Sequence, residues 1–98
     1  MSSAFEPDYE CCTFRGSVVA YDALTGTKLW QAFTTDMPTP SGVTASGTTR
    51  MTPSGAPVWN SPTIDKQREQ ILFGTGENYT SPATVTSDAI MAVDIKTG

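Results

Sequence analysis

The chain has 98 residues, a formal charge of −4 and a pI near 4.4, and its six Lys and Arg are scattered, without the basic run that tracks phosphates in a nucleic-acid binder. It contains no His, which removes His-based triads and the usual zinc sites. Apolar residues make up 38%, against about 45–50% in an ordinary globular domain, no apolar run approaches a membrane helix, and no basic-then-apolar leader precedes Ser2.

In chain order, "SVVAYD" from Ser17 to Asp22 is a β-rich run, and "ALTG" reverses it, with Gly26 free to take a positive φ. "TKLWQAFTT" reads as the returning strand, with Leu29 and Phe33 on one face and Trp30 on the other. Residues 36–57 are rich in Pro, Gly, Ser and Thr without a period, and read as a long loop. "VWNSPTID" is a strand, "KQRE" a turn and "QILFGTG" a strand. "ENYTSPATVTS" is a second loop and "DAIMAVD" the last strand. No stretch has helical periodicity, so the expected class is all-β.

Two of these stretches are copies. "AYDALTGTKLW" (Ala20 to Trp30) and "AVDIKTG" (Ala92 to Gly98) align with Asp22 on Asp94, Thr25 on Thr97 and Gly26 on Gly98. Each is a strand followed by a tight Thr-Gly turn, and in the first copy the returning strand carries Trp30. Two copies in register argue for a repeat protein, in which such a Trp lies flat between neighbouring sheets. The second copy stops before its Trp, which reads as a piece of a larger protein. Asp22, Asp65 and Asp94 sit at strand ends as turn caps, and none of them reads as a general base.

The pattern Ala-x-Asp-x-x-Thr-Gly-x-x-x-Trp over residues 20–30 resembles the tryptophan-docking motif of the quinoprotein β-propellers, which include the PQQ-dependent alcohol dehydrogenases and cofactor-free relatives. The resemblance implies a fragment of an eight-bladed β-propeller, roughly one and a half four-stranded antiparallel blades. On that plan, residues 17–35 supply the outer strands of one blade, 36–56 a loop and 57–98 most of the next blade.

The same resemblance assigns candidate site residues. "SSAFE" is similar to a segment that brings a Ser to the quinone and a carboxylate to an active-site Ca²⁺, which implies Ser3 (or Ser2) as cofactor-binding and Glu6 as a metal ligand. The adjacent Cys11 and Cys12 are either two free thiols or a vicinal disulfide near the quinone; "CCTFRGS" is most like the polyvinyl-alcohol-dehydrogenase branch. Trp59 in "GAPVWNSPTID" corresponds to a Trp that stacks on the flat quinone, with a core Trp as the alternative. "FGTGENY" places Glu77 directly after Gly76, where the family has an Asn that binds Ca²⁺, and Asn78 one position on; Asn78 keeps the family's ligand type, and either residue fits. Arg15, entering a strand, reads as the partner in a surface ion pair, with an approach to the cofactor as the alternative, and is left out of the site.

The resemblance implies a periplasmic dehydrogenase that uses PQQ and Ca²⁺ to oxidise alcohol groups of a small-molecule or polymeric substrate. The general-base Asp is expected beyond Gly98, and no Cys-x-x-Cys-His motif attaches a haem. A cofactor-free binding scaffold built from the same blades is the alternative. Open strand edges are expected to pair with further blades or with a second copy.

Overall fold

The computed structural model describes residues 13–98, and within them every regular element is a β-strand. Strands β1 (Ser17–Tyr21) and β2 (Lys28–Phe33) form an antiparallel pair in which Ala20 faces Trp30, with a register shift between Ala20 and Tyr21. Strands β5 (Thr63–Asp65), β6 (Gln70–Gly74) and β7 (Ile90–Asp94) form a three-stranded antiparallel sheet in the order β5-β6-β7. The all-β expectation holds, and so do the positions of the two repeat strands and the turn at residues 66–69.

Two expectations differ from the structure. Residues 36–57, read as a loop, carry a hairpin of β3 (Thr39–Val43) and β4 (Thr49–Thr52). Its turn is closed by the Thr44 N–H on the Thr48 carbonyl (2.8 Å) and the Gly47 N–H on the Thr44 carbonyl (2.9 Å). β3 is exposed along its whole length, so burial imposes no apolar alternation on it and the usual strand signal is missing. In "VWNSPTID" only Thr63–Asp65 joins the ladder, while Val58 makes an isolated bridge to Thr75.

Trp30 joins the β1–β2 pair to the end of the three-stranded sheet, and with Ala56 and Phe73 it is among the buried apolar residues of those described. On β2 the pleat puts Leu29 and Phe33 on an exposed face and Trp30 on the buried one. Trp30 reaches across to the end of β7: its indole N–H donates to the Ile95 carbonyl (3.1 Å). The ring lies so close to Gly98 that a Cβ there would stand 2.8 Å from Trp30 Cε3. The Trp of the first repeat copy thus docks on the turn of the second, the structural role expected for it. A buried Trp removes roughly 150–250 Å² from water, so in a chain with so few buried apolar side chains this contact dominates the packing between the sheets.

Both copies of the turn close in the same way. The Asp22 carboxylate accepts the N–H groups of Leu24 and Thr25 and the Thr25 hydroxyl. Asp94 does the same with Lys96, Thr97 and the Thr97 hydroxyl. The glycine N–H returns to the Asp carbonyl in each, at 2.8 Å for Gly26 and 2.9 Å for Gly98, with φ of 72° and 84°. Asp65 caps the β5–β6 turn through the Gln67 and Arg68 N–H groups and an ion pair with Arg68 at 2.8 Å. All three caps agree with the sequence reading.

Candidate cofactor site

Residues 54–59 run against residues 75–79 in a short irregular ladder. The Tyr79 N–H donates to the Ser54 carbonyl (2.7 Å), Ala56 N–H to Glu77 (2.8 Å) and Gly76 N–H to Pro57 (2.8 Å). On the other side the Gly16 N–H donates to the Gly55 carbonyl (3.0 Å), and the Gly55 N–H to the Phe14 carbonyl (2.9 Å). This seam is buried but polar. The Thr34 hydroxyl lies 3.0 Å from the Gly16 carbonyl and 2.7 Å from that of Ala56, and the Ser54 hydroxyl donates to the Phe14 carbonyl at 2.8 Å. Buried hydroxyls are tolerated because carbonyls satisfy them. The seam thereby holds the "GAPVW" and "GTGENY" segments side by side.

Trp59 stands on this seam, 55% exposed. Its indole edge lies on Gly76, where a Cβ would meet Nε1 at 2.6 Å and Cδ1 at 3.2 Å, so any larger residue at position 76 displaces the ring. An indole held by one edge and open to solvent is a platform for a flat aromatic ligand.

Asn78 is buried, and its side chain is committed to the following loop. Its Nδ2 donates to the Pro82 carbonyl (3.3 Å), and its Oδ1 accepts the Thr84 hydroxyl (3.0 Å). Glu77 is half-buried, and no hydrogen bond or ion pair engages its carboxylate among the described residues. The structure therefore brings Trp59, Glu77 and Asn78 to one seam and gives the last a structural task. Ser3, Glu6, Cys11 and Cys12 lie outside the described residues. No group of three or more His, Cys, Asp or Glu that could hold a metal occurs among the described residues.

The pKa values of the three turn-capping carboxylates are lowered by the hydrogen bonds of their own turns. The Thr25 N–H and hydroxyl hold Asp22 below the usual carboxylate range. The Arg68 guanidinium does so for Asp65 and the Lys96 N–H for Asp94.

Sequence reasoning misplaced Arg15. No Arg15 ion pair occurs among the described residues; its Nε and Nη2 both donate to the Thr35 carbonyl (3.0 and 2.7 Å), and the guanidinium lies 3.7 Å from the Phe33 ring centroid. Only the spacing of Phe33 on the face opposite Trp30 hinted at this stacking.

The sequence has relatives among known proteins. A family model described as "Glucose/ethanol/alcohol dehydrogenase, beta-propeller domain", of the PQQ family, matches residues 1–98. The chain is 43% identical over 93 residues to a polyvinylalcohol dehydrogenase of Sphingopyxis sp. (strain 113P3), covering 94% of this chain and 14% of that protein. It is 41% identical over 96 residues to a polyvinylalcohol dehydrogenase of Pseudomonas sp., covering 97% of this chain and 15% of that protein. No solved structure matches. The chain thus spans about a seventh of the curated relatives' length. With its Trp30 dock and small antiparallel sheets, the chain belongs to the PQQ β-propeller family of dehydrogenases.

Proposed function

We propose that this chain is the cofactor-bearing segment of a periplasmic, PQQ- and Ca²⁺-dependent dehydrogenase that oxidises alcohol groups. The observation that carries this reading is the Trp59 indole, seated by its edge on Gly76 beside the Glu77–Asn78 segment, in a chain of that family. The names of the two relatives support a polymeric alcohol as the substrate. Trp59 stacks on the quinone and helps to exclude water from its face. Ser3 and the Cys11–Cys12 pair are further cofactor contacts. Glu6 and Glu77 are the proposed carboxylate donors for Ca²⁺, a hard cation that takes oxygen ligands. Asn78 is the alternative donor of this loop, since its Oδ1 accepts the Thr84 hydroxyl and keeps a second lone pair. The donors among the described residues do not by themselves complete a metal site. When bound, the quinone supplies the two-electron oxidation. The proton acceptor is proposed to be an Asp beyond Gly98, since Asp22, Asp65 and Asp94 are committed to turns.

The test is quenching of Trp fluorescence on adding PQQ with Ca²⁺. We expect Trp59→Ala to abolish the quenching and Trp30→Phe to retain it. Loss in a folded Trp30→Phe protein with retention in Trp59→Ala overturns the assignment. Absence of any PQQ response brings forward the cofactor-free scaffold, because the Trp30 dock serves blade packing in either case.

A further inference from the structure

The segment that carries Trp59 begins with an uncommon backbone. Ala56 has a φ of 48°, in the left-handed region that a residue with a Cβ rarely adopts. The proline that follows presses its neighbour toward extended conformations instead. A residue in such a conformation persists only where its surroundings over-determine it, and such residues cluster at functional sites. Here every group of Ala56 is held. Its N–H donates to the Glu77 carbonyl (2.8 Å), and its methyl is fully enclosed. Its carbonyl accepts the hydroxyl of Thr34 at 2.7 Å, the shorter of the two contacts that hydroxyl makes, and Thr34 is itself 1% exposed. Gly16 leaves room for this contact, since a Cβ there would overlap the Ala56 carbonyl oxygen.

Trp59 is only three residues on, and little between can turn freely. Pro57 has a fixed φ and its carbonyl accepts the Gly76 N–H (2.8 Å), Val58 bridges to Thr75, and the indole rests its edge on Gly76. The direction in which the chain leaves Ala56 therefore sets where the ring stands. We infer that Thr34 is a positioning residue of the cofactor platform: its hydroxyl holds Ala56 in the left-handed turn, and that turn seats the Trp59 indole. The inference rests on the reading of Trp59 as the stacking residue and deepens it by naming what fixes the ring. It also gives the end of β2 a second task. Trp30 docks that strand on the distant turn, and Thr34, one residue past the strand, ties it to the platform.

The experiment labels the full chain with fluorotryptophan, whose two residues give two fluorine NMR signals, and assigns that of Trp59 by its loss in Trp59→Phe. The Trp30 signal then reports the docked sheets, and the Trp59 signal reports the platform. Thr34→Val keeps the shape and removes the hydroxyl. It is expected to leave the Trp30 signal in place and to move the Trp59 signal toward its unfolded position. In the quenching titration it is expected to raise the Kd for PQQ roughly fivefold, the effect of one hydrogen bond. Thr34→Ser, which restores the hydroxyl, is expected to return both readings to the parental values. Ala56→Gly takes the same φ without strain and so loosens the turn; it is expected to broaden the Trp59 signal alone. A Thr34 that only supports the fold would lower the melting temperature and leave the Trp59 signal of the folded protein unmoved. That outcome, joint movement of the two signals, or failure of Thr34→Ser to rescue overturns the inference. Should Thr34→Val fail to fold, Ala56→Gly decides, and an unmoved Trp59 signal in it overturns the inference as well. If the parent gives no PQQ response while the fluorine pattern holds, Thr34 still positions Trp59 and the cofactor reading falls alone.

Discussion

The two Asp-x-x-Thr-Gly turns have one local structure and two different surroundings. At Asp22–Gly26 the carboxylate closes the turn over open space, with no atom within 4 Å of a Cβ placed on Gly26, and Leu24 at its tip is 97% exposed. At Asp94–Gly98 the same hydrogen bonds close the turn under the Trp30 indole. In the first turn glycine answers only a backbone requirement, a φ of 72°. In the second it answers that requirement and also a steric one. One motif can therefore be a free-standing cap and a docking surface, and the difference lies in what another part of the chain brings to it.

Substitutions at these positions break or sharpen the comparison. The largest effect is expected from Trp30→Ala, which empties the contact between the sheets; the loss is about 3–5 kcal/mol, read from denaturant unfolding. Gly98→Ala comes next: its Cβ collides with the ring and the backbone is left-handed, for a loss of about 2 kcal/mol. Gly26→Ala tests the backbone requirement alone and is expected to lose about 1 kcal/mol. Equal losses at the two glycines would show that the Trp30 dock does not form in solution. The smallest effect is on pH. Asp22 and Asp94 are both held below the usual carboxylate range by backbone N–H groups. The stability this supplies is present above the unfolded carboxyl pKa and is lost as pH falls through the lower folded values. Carboxyl NMR titration should find both groups depressed in the same direction; an unshifted Asp22 beside a depressed Asp94 would mean that docking, not the local cap, lowers the pKa.

Much of this was legible in the residues. The alignment of Asp22 on Asp94 and Gly26 on Gly98 predicts two identical turns, and the hydrogen bonds agree bond for bond. The alternation along β2 predicts that Trp30 lies on the face opposite Leu29 and Phe33, while the burial of the Trp30 face follows from its docking on a distant turn. The β3–β4 hairpin escaped because it has little to bury and so carries no period-2 pattern. The candidate site was legible as a set of residue types, Trp59 with Glu77 and Asn78, but not as a division of labour. That Asn78 is occupied by Thr84 and Pro82 while Trp59 remains open follows from how two loops close on each other. Arg15 was misread for a similar reason: its partners, Thr35 and Phe33, lie 20 and 18 positions away and carry no charge pattern that marks them.

What the sequence determined alone is whatever forms within a few residues: the Asp-capped turns, the positive-φ glycines, the strand pleat and the all-β class. Each needs only neighbours along the chain, whose positions covalent geometry already sets. Tertiary structure decided the docking of Trp30 on a turn 65 residues away, the polar seam of Thr34, Ser54 and Gly55, and the exposed seat of Trp59 on Gly76. These contacts depend on how far one sheet is turned against another, and a rotation that leaves every local hydrogen bond intact would still remove them.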